Sequence, residues 1–219
     1  MPDYDPPAEF DGTPHRFLLP PDSLLWHVHP KTRKATEFTP YRPGRRHAGR
    51  FDGTEEDPYP AYNAARSAPA ALADVLLGSI PSPTKGFRTL RRVGVAGLRL
   101  SLVLTAVELS LVTLCDATDL NAVAQDVWLI RAEDSDLPRV RRWASWVRKQ
   151  APWAEGFLWP PKRDPGRHCV VLFGDRCDSG VFQPNAQHEV DLDDEFGAAY
   201  LNGMLAEYRV WIAPPRPPR

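Results

Sequence analysis

The chain has 219 residues, 42% hydrophobic and 25% charged, which is the composition of an ordinary globular protein. A formal net charge of −1 and a pI of about 6.6 give no general electrostatic drive toward nucleic acid or anionic lipid, so both classes of partner are disfavoured. The three cysteines form no CxxC pair, which argues against a disulfide framework and for a reducing compartment. No signal-peptide pattern opens the sequence, and charges interrupt its longest apolar stretch. We therefore expect a cytoplasmic protein with no membrane partner.

Both ends of the chain lack the periodicity of regular structure. Residues 1–20 are rich in Pro, Asp and Gly and are predicted to form a flexible or surface-draped N-terminal arm. Residues 214–219 form a Pro-rich tail that cannot continue a regular element. Between them we find no internal repeat and no linker, so residues 21–213 are predicted to form one domain.

The first regular elements are a strand and a helix. Residues 24–29 alternate apolar and polar side chains, which predicts a strand that ends at Pro30. Ser67 is a favourable N-cap, and Pro69 suits the first turn of a helix that runs to about Gly78. The intervening stretch, 40–50, is predicted to be a basic loop.

The remaining sequence mixes short strands with separated helices. Strands are predicted near 100–104, 109–114, 156–159, 169–173 and 209–212, and helices near 119–125, 138–150 and after Asp193, where Phe196, Tyr200 and Met204 recur at helical spacing. The run at 169–173 is apolar throughout, which is typical of a strand buried on both faces. This order favours an α+β fold with a mixed, mostly antiparallel sheet.

Asp74 is the most unusual residue of the predicted first helix, which is otherwise apolar. A carboxylate in such a helix lies at the edge of a cleft, or has a strong partner, or marks the solvent side of a short Ala-rich helix. Arg50 and Tyr62 precede it at intervals of twelve residues on other predicted elements. If the three met in one pocket, a guanidinium, a phenol and a carboxylate would suit an anionic, aromatic ligand such as a dinucleotide.

Other candidate sites have simpler explanations. His27 and His29 share a strand face, but no carboxylate or cysteine at a recognisable spacing completes a ligand set, so no metal site is predicted. Cys169 follows His168 on a strand, where neighbouring side chains point to opposite faces, so we interpret Cys169 as a core thiol. Trp143 and Trp146 are interpreted as core residues, with a partner surface as the alternative.

Two segments of the chain resemble the RES domain family. The first runs from Gly-Arg-Phe at 49–51 through Tyr-Asn-Ala at 62–64 to the helix that contains Asp74. The second joins Gly-Phe-Leu-Trp at 156–159 and Pro-Pro-Lys-Arg at 160–163 to the apolar strand that ends in Phe173. Leu-Trp-His-Val at 25–28 resembles the aromatic-Arg-Val opening of the family, so the likeness covers most of residues 24–175.

The sequence departs from the family at three positions. His27 stands where the family has Arg, Asp74 where the family has Glu, and Pro161 where the family has Ser. Asp places its carboxylate roughly 1 to 1.5 Å further back than Glu, and a misplacement of about 1 Å can lower a rate on the order of a hundredfold. Arg50 and Tyr62 match the family pattern.

The resemblance implies a fold related to ADP-ribosyltransferases and a reaction on NAD. It assigns catalytic roles to Arg50, Tyr62 and Asp74, and substrate contacts to His27, Arg50, Tyr62 and Lys162. NAD is then a substrate, inorganic phosphate a candidate co-substrate, and no resident cofactor is expected. A small antitoxin protein is the expected partner, and a homo-oligomer stays open.

Three functional hypotheses follow. The first is an NAD-consuming enzyme that acts by phosphorolysis or hydrolysis, as the toxin of a toxin–antitoxin pair. The second is a catalytically degenerate module that keeps a nucleotide pocket or an interaction surface, and the third is transfer of ADP-ribose to a macromolecule. The altered positions favour the second, whereas retention of Arg50, Tyr62 and an acidic residue at 74 favours the first, which we prefer.

Overall fold

An eight-stranded sheet organises the fold. The structure, a computed structural model, describes residues 5–44, 49–78 and 85–215. The strand order in the large sheet is β1-β6-β7-β8-β3-β2-β5-β9, and all of its neighbours are antiparallel except β6 and β7, which are parallel. A smaller sheet pairs β10 with β4 in parallel. The predicted α+β fold with a mostly antiparallel sheet is confirmed.

The elements follow one another as short strands with helices between them. The strands are β1 (Arg16–Leu19), β2 (Leu24–Pro30), β3 (Ala61–Ala65), β4 (Arg88–Leu90), β5 (Leu98–Leu104), β6 (Leu109–Thr113), β7 (Gly156–Trp159), β8 (Cys169–Phe173), β9 (His188–Asp191) and β10 (Val210–Ile212). The helices are α1 (Ala68–Leu77), α2 (Ala117–Asn121), α3 (Trp128–Arg131), α4 (Leu137–Gln150) and α5 (Glu195–Leu205).

The large sheet is buried on both faces, and each face has its own core. Strand residues alternate between the cores, as period 2 requires: in β8, Cys169 and Val171 pack in the core that contains α1, α4 and α5, whereas Val170 and Leu172 pack in the other. We call these the helical face and the opposite face. The same alternation in β3 places Ala61 and Ala65 on the helical face and Tyr62 on the opposite face, which separates the candidate site residues.

Helix α1 begins as its sequence predicts. The N–H of Ala70 donates to Oγ of Ser67, the N-cap residue, and proline occupies the first turn. Gly78 is the C-cap. Seven of the ten helical residues are buried, and α1 packs on β2, β3, β8 and α5. The apolar character of α1 therefore reflects its position over the sheet.

Three predictions about elements need correction. Residues 16–19, assigned to the N-terminal arm, form β1 and pair with β6, because Phe17 and Leu19 have apolar surface to bury. The last helix is capped by Asp194, not by Asp193. Its predicted apolar stripe is also not its core face, since Phe196 is 65% exposed. The side of that helix that faces the core consists of Gly197, Ala198, Leu201 and Leu205, which are buried.

The chain ends were predicted from composition alone. Residues 5–10 lie against α4: the indole N–H of Trp146 donates to the carbonyl of Pro7, Phe10 packs edge-on against Trp146, and Arg142 pairs with Asp5. The first part of the arm is thus draped over a helix. Most of the tail at 214–219 and part of the basic loop, 45–48, lie outside the described residues.

Candidate functional site

Asp74 is solvent-accessible on α1 and has no hydrogen bond or ion pair with any residue that the structure describes. Desolvation by the surrounding protein nevertheless raises the pKa of its carboxyl from 3.8 to about 6, and the charge of Arg50 acts in the opposite direction. Solvent thus reaches the Asp74 side chain, while neighbouring protein penalises its charge. Of the alternatives left open by the sequence, a strong partner is excluded among the described residues.

Arg50 is the nearest cationic influence on Asp74. Its Nη1 and Nη2 donate to the carbonyls of Leu129 and Ala132, at 3.3 and 3.0 Å, at the end of α3. Burial lowers the pKa of the guanidinium, and the charge of Asp74 raises it. Arg50 remains charged at neutral pH because the ordinary pKa of a guanidinium lies far above 7. The two backbone carbonyls fix the position of this cation while it faces the Asp74 carboxylate without an ion pair.

A second cation, Lys162, approaches the same region from the segment after β7. Its Nζ lies 2.5 Å from a carboxylate oxygen of Glu133, which follows α3, and this contact lowers the pKa of Glu133. The charge of Glu133 also acts on Arg50. Pro161, directly before Lys162, is buried and places neither a hydroxyl nor an N–H there.

Arg163 holds the end of α1. Its Nε and Nη2 donate to the carbonyls of Leu77 and Gly78, at 3.2 and 3.1 Å, which are orphan carbonyls of the last turn. Because Asp74 lies one turn earlier, these bonds tie the segment of Pro161 to the helix that bears the carboxylate. The segments that contain Arg50, Asp74 and Pro161 therefore converge on the helical face of the sheet.

Trp159 and Cys169 form part of the wall beneath this cluster. They are paired in register on β7 and β8, and both are buried in the core of the helical face. Burial, followed by the charge of Asp74, raises the pKa of the Cys169 thiol, so the thiol stays protonated. This agrees with the interpretation of Cys169 as a core residue.

Tyr62 and His27 lie on the opposite face of the sheet. Tyr62 is fully buried, its hydroxyl donates to the carbonyl of Ala35 at 2.9 Å, and its ring lies 4.2 Å from that of His27. His27 is 5% exposed, and its Nδ1 lies 2.6 Å from the carbonyl of Asn63. Burial lowers the pKa of His27 to about 3, so the ring is neutral. The structure therefore does not bring Tyr62 and His27 together with Arg50 and Asp74.

His29 continues the polar row beside His27. The two imidazoles stack with centroids 5.1 Å apart, and Nε2 of His29 lies 2.8 Å from Oγ of Ser101, which in turn donates to Glu189. Across residues 5–44, 49–78 and 85–215, no group of three or more histidine, cysteine or acidic side chains could hold a metal ion. Nor does that part of the chain contain a helix long and apolar enough to cross a membrane.

A cavity of about 320 Å³ lies on the other side of the turn that carries Arg50. Asp52 and Gly53 of that turn line it together with the start of α4, and Nε of Arg141 donates to the carbonyl of Gly49. The side chain of Asp52 is held by the N–H of Gly49 and by Asn63. These bonds fix the turn, and with it the direction in which the Arg50 side chain leaves the backbone.

Comparison with known proteins accounts for this convergence. The model of the RES domain matches residues 24–193. The chain belongs to the RES domain family. Among solved structures, the fold is similar to a chain of the MbcT–MbcA toxin–antitoxin complex of Mycobacterium tuberculosis, with a TM-score of 0.54 and 20% sequence identity over 80% of this chain and 86% of that chain. A search of curated proteins gave no match.

The structure brings some of the predicted site residues together and separates others. The segment of Arg50, which matches the family's Gly-Arg-aromatic turn, converges with those of Asp74 and Pro161, which stand where the family has Glu and Ser. His27, which stands where the family has Arg, lies on the opposite face with Tyr62. Glu133 and Arg163 belong to the cluster of Arg50 and Asp74, but the sequence assigned no role to either. Arg163 had a signal, since it lies in the resembling segment Pro-Pro-Lys-Arg at 160–163, whereas Glu133 lies in a polar stretch that has no motif.

Proposed function

We propose that this RES domain is an NAD-consuming enzyme that cleaves the bond between nicotinamide and ribose, and that it is the toxin of a toxin–antitoxin pair. The observation that carries the proposal is the accessible Asp74 carboxylate, unpartnered among the described residues, with a pKa near 6 and a fixed arginine beside it. Accessible groups with strongly perturbed pKa values are typical of functional sites. Family membership and a toxin–antitoxin structural neighbour support the choice of reaction and partner.

In the proposed reaction, Asp74 stabilises positive charge on the ribose. The C–N bond breaks, its electron pair goes to the nicotinamide nitrogen, and the ribose passes through an oxocarbenium-like state. The positive charge of the nicotinamide ring in the substrate thereby passes to the ribose, where an ionised carboxylate at the anomeric centre stabilises it. Phosphate or water then forms the new bond to the anomeric carbon. When water attacks, its proton goes to Asp74, whose pKa suits a general base near neutral pH.

Arg50 is proposed to hold phosphate. Its guanidinium has five N–H donors, and two of them bond to backbone carbonyls. Arg50 makes no other hydrogen bond among the described residues, so three donors remain for an anion. Lys162 would also bind the phosphate, once its ammonium group has left Glu133. His27 and Tyr62, behind the sheet, would support the fold beneath this site and not contact the substrate.

The degenerate binding module is the second candidate, and Pro161 is the observation that favours it. Where the family has Ser, this chain offers no side-chain donor and no N–H. A pocket with Arg50 and Lys162 would then bind a nucleotide without turning it over.

Nicotinamide release from NAD by the purified protein, with and without phosphate, distinguishes these functions. We expect release that falls at least a hundredfold in Arg50→Ala and in Asp74→Asn, and that rises with pH through about 6 as Asp74 ionises. Asp11→Asn and Arg66→Ala are matched controls, because both residues are exposed and lie outside the site. Release without phosphate would identify hydrolysis. No release, with NAD still binding in a calorimetric titration, would leave the binding module.

Asp74→Glu tests the geometry of the carboxylate. It restores the longer side chain of the family, which reaches roughly 1 to 1.5 Å further. We expect this variant to retain or exceed the wild-type rate, whereas a loss as large as that of Asp74→Asn would contradict the assigned role.

A further inference from the structure

One edge of the smaller sheet, that of β4, is unpaired among the residues that the structure describes. The N–H of Arg88 donates to the carbonyl of Arg209, and the parallel register pairs Thr89 with Trp211. In this register Arg88 and Leu90 direct their backbone groups toward β10, so the N–H and C=O of Thr89 point away from it. Within the described part of the chain, no residue bonds to them. The other edge, that of β10, is closed, because the side chain of Asn202 bonds both the N–H and the C=O of Ile212.

Large apolar side chains surround this edge in positions that solvent reaches. Phe87 is 63% exposed, Val93 75% and Trp211 45%. Thr89 is exposed as well, and it shares a face of the small sheet with Trp211 because the two are register partners. Exposed apolar side chains next to a strand edge that no described residue pairs are typical of an interaction site, since native proteins otherwise protect such edges.

The charged side chains near this edge that lack an ion pair among the described residues are cationic. Lys85, Arg91 and Arg209 are exposed and make no ion pair among the described residues. The one carboxylate near them in sequence, Glu207, is paired with Arg167. A second copy of the chain would bring the same cations against each other. An acidic segment would neutralise them.

We propose that the edge of β4 is a docking site for an extended, acidic segment of a partner protein, which adds to the small sheet as a third strand. Its backbone would pair with Thr89, its apolar side chains would cover Phe87 and Trp211, and its carboxylates would face Lys85, Arg91 and Arg209. The binding is separate from NAD cleavage, so its test does not depend on the proposed activity.

The probe is a fluorescein-labelled ten-residue peptide in which glutamate alternates with valine, measured by anisotropy against the full chain. Thr89→Pro removes the outward N–H, and proline is tolerated at that place because it is an edge position. The triple reversal Lys85→Glu, Arg91→Glu, Arg209→Glu removes the charge complement. We expect each to weaken binding at least tenfold. The matched reversal of exposed cations elsewhere, at Lys34, Arg66 and Lys149, should stay within twofold of wild type.

Three results would overturn the proposal. No binding by the wild type means that the edge does not accept a strand. Loss of binding in the charge reversal but not in Thr89→Pro means a general basic patch, which a DNA duplex of similar length would then also occupy. A wild-type dimer in light scattering that Thr89→Pro dissociates means that a second copy pairs there. If Thr89→Pro misfolds, slower hydrogen exchange of the Thr89 amide in the wild-type complex tests the same backbone bond.

Discussion

Asp74 should destabilise the folded chain at neutral pH, and asparagine in its place should stabilise it. Folding raises the pKa of this carboxyl from 3.8 to about 6, so the folded state binds the proton more tightly than the unfolded state. As pH rises between those values, the unfolded state ionises first and stability falls, and above about 6 the full penalty is present. A shift of roughly two pH units corresponds to at most about 3 kcal/mol. Because solvent reaches the side chain and screens it, we expect about 1 kcal/mol.

The assay is urea unfolding of the wild type and of Asp74→Asn from pH 4 to pH 8. The variant should be more stable by about 1 kcal/mol at pH 8, and the difference should shrink toward zero as pH approaches 4. Asp11→Asn, at an exposed position, should show no such trend. An Asp74→Asn difference that is absent at pH 8, or equally large at pH 4, would refute the idea that the surrounding protein penalises the charge of Asp74.

Other predictions concern the two cores. Burial holds the pKa of His27 near 3, so below pH 6.5 the unfolded state binds a proton at this residue and the folded state does not. The unfolding free energy of the wild type should therefore fall by about 2 kcal/mol between pH 6.5 and pH 5 because of His27. In urea unfolding, His27→Gln should reduce this dependence of the unfolding free energy on pH. Arg148→Met should lower the unfolding free energy by about 3 kcal/mol. The substitution removes a cation that is 2% exposed, pairs with two carboxylates and lies over two aromatic rings. A melting temperature unchanged from wild type would contradict this. Gly156→Ala places a Cβ 2.1 Å from a carbonyl oxygen of the neighbouring strand and should cost about 3 kcal/mol, whereas Gly166→Ala, with open space around it, should melt like the wild type.

Much of the fold could be predicted because its signals are local. Ser67 and Pro69 define the start of α1 through the cap and the first turn, and the structure has both. The strand at 156–159 and the one at 169–173 have the predicted bounds. β1 and β4 were missed because each is short and gains its stability from a partner strand distant in the chain. The prediction that Phe196 lies on the core face of α5 was wrong for a similar reason. Which side of a helix faces the core depends on the elements that pack against it.

The candidate site could be predicted only in part. The helix that bears Asp74 is so apolar that a lone carboxylate is visible as an anomaly in the sequence. The contact between Lys162 and Glu133, by contrast, depends on where the segment after α3 lies in the fold, and no local sequence pattern indicates that position. The spacing of Arg50, Tyr62 and Asp74 left open whether the three meet, and the family resemblance assigned all three to one catalytic site. Neither signal indicates which face of a strand a side chain occupies.

The division between the two faces changes the meaning of the altered family positions. A charged arginine at position 27 would need a partner in the opposite-face core, where His27 is neutral and bonds to the carbonyl of Asn63. The histidine at position 27 therefore belongs to that core and not to the cluster around Asp74. Asp74 and Pro161 are different, because they lie in the cluster itself. Activity therefore depends on whether Arg50, Lys162 and a shorter carboxylate can act without the family's serine hydroxyl. Pro161→Ser, which should raise nicotinamide release if the hydroxyl is the missing group, decides between an adapted enzyme and a binding module.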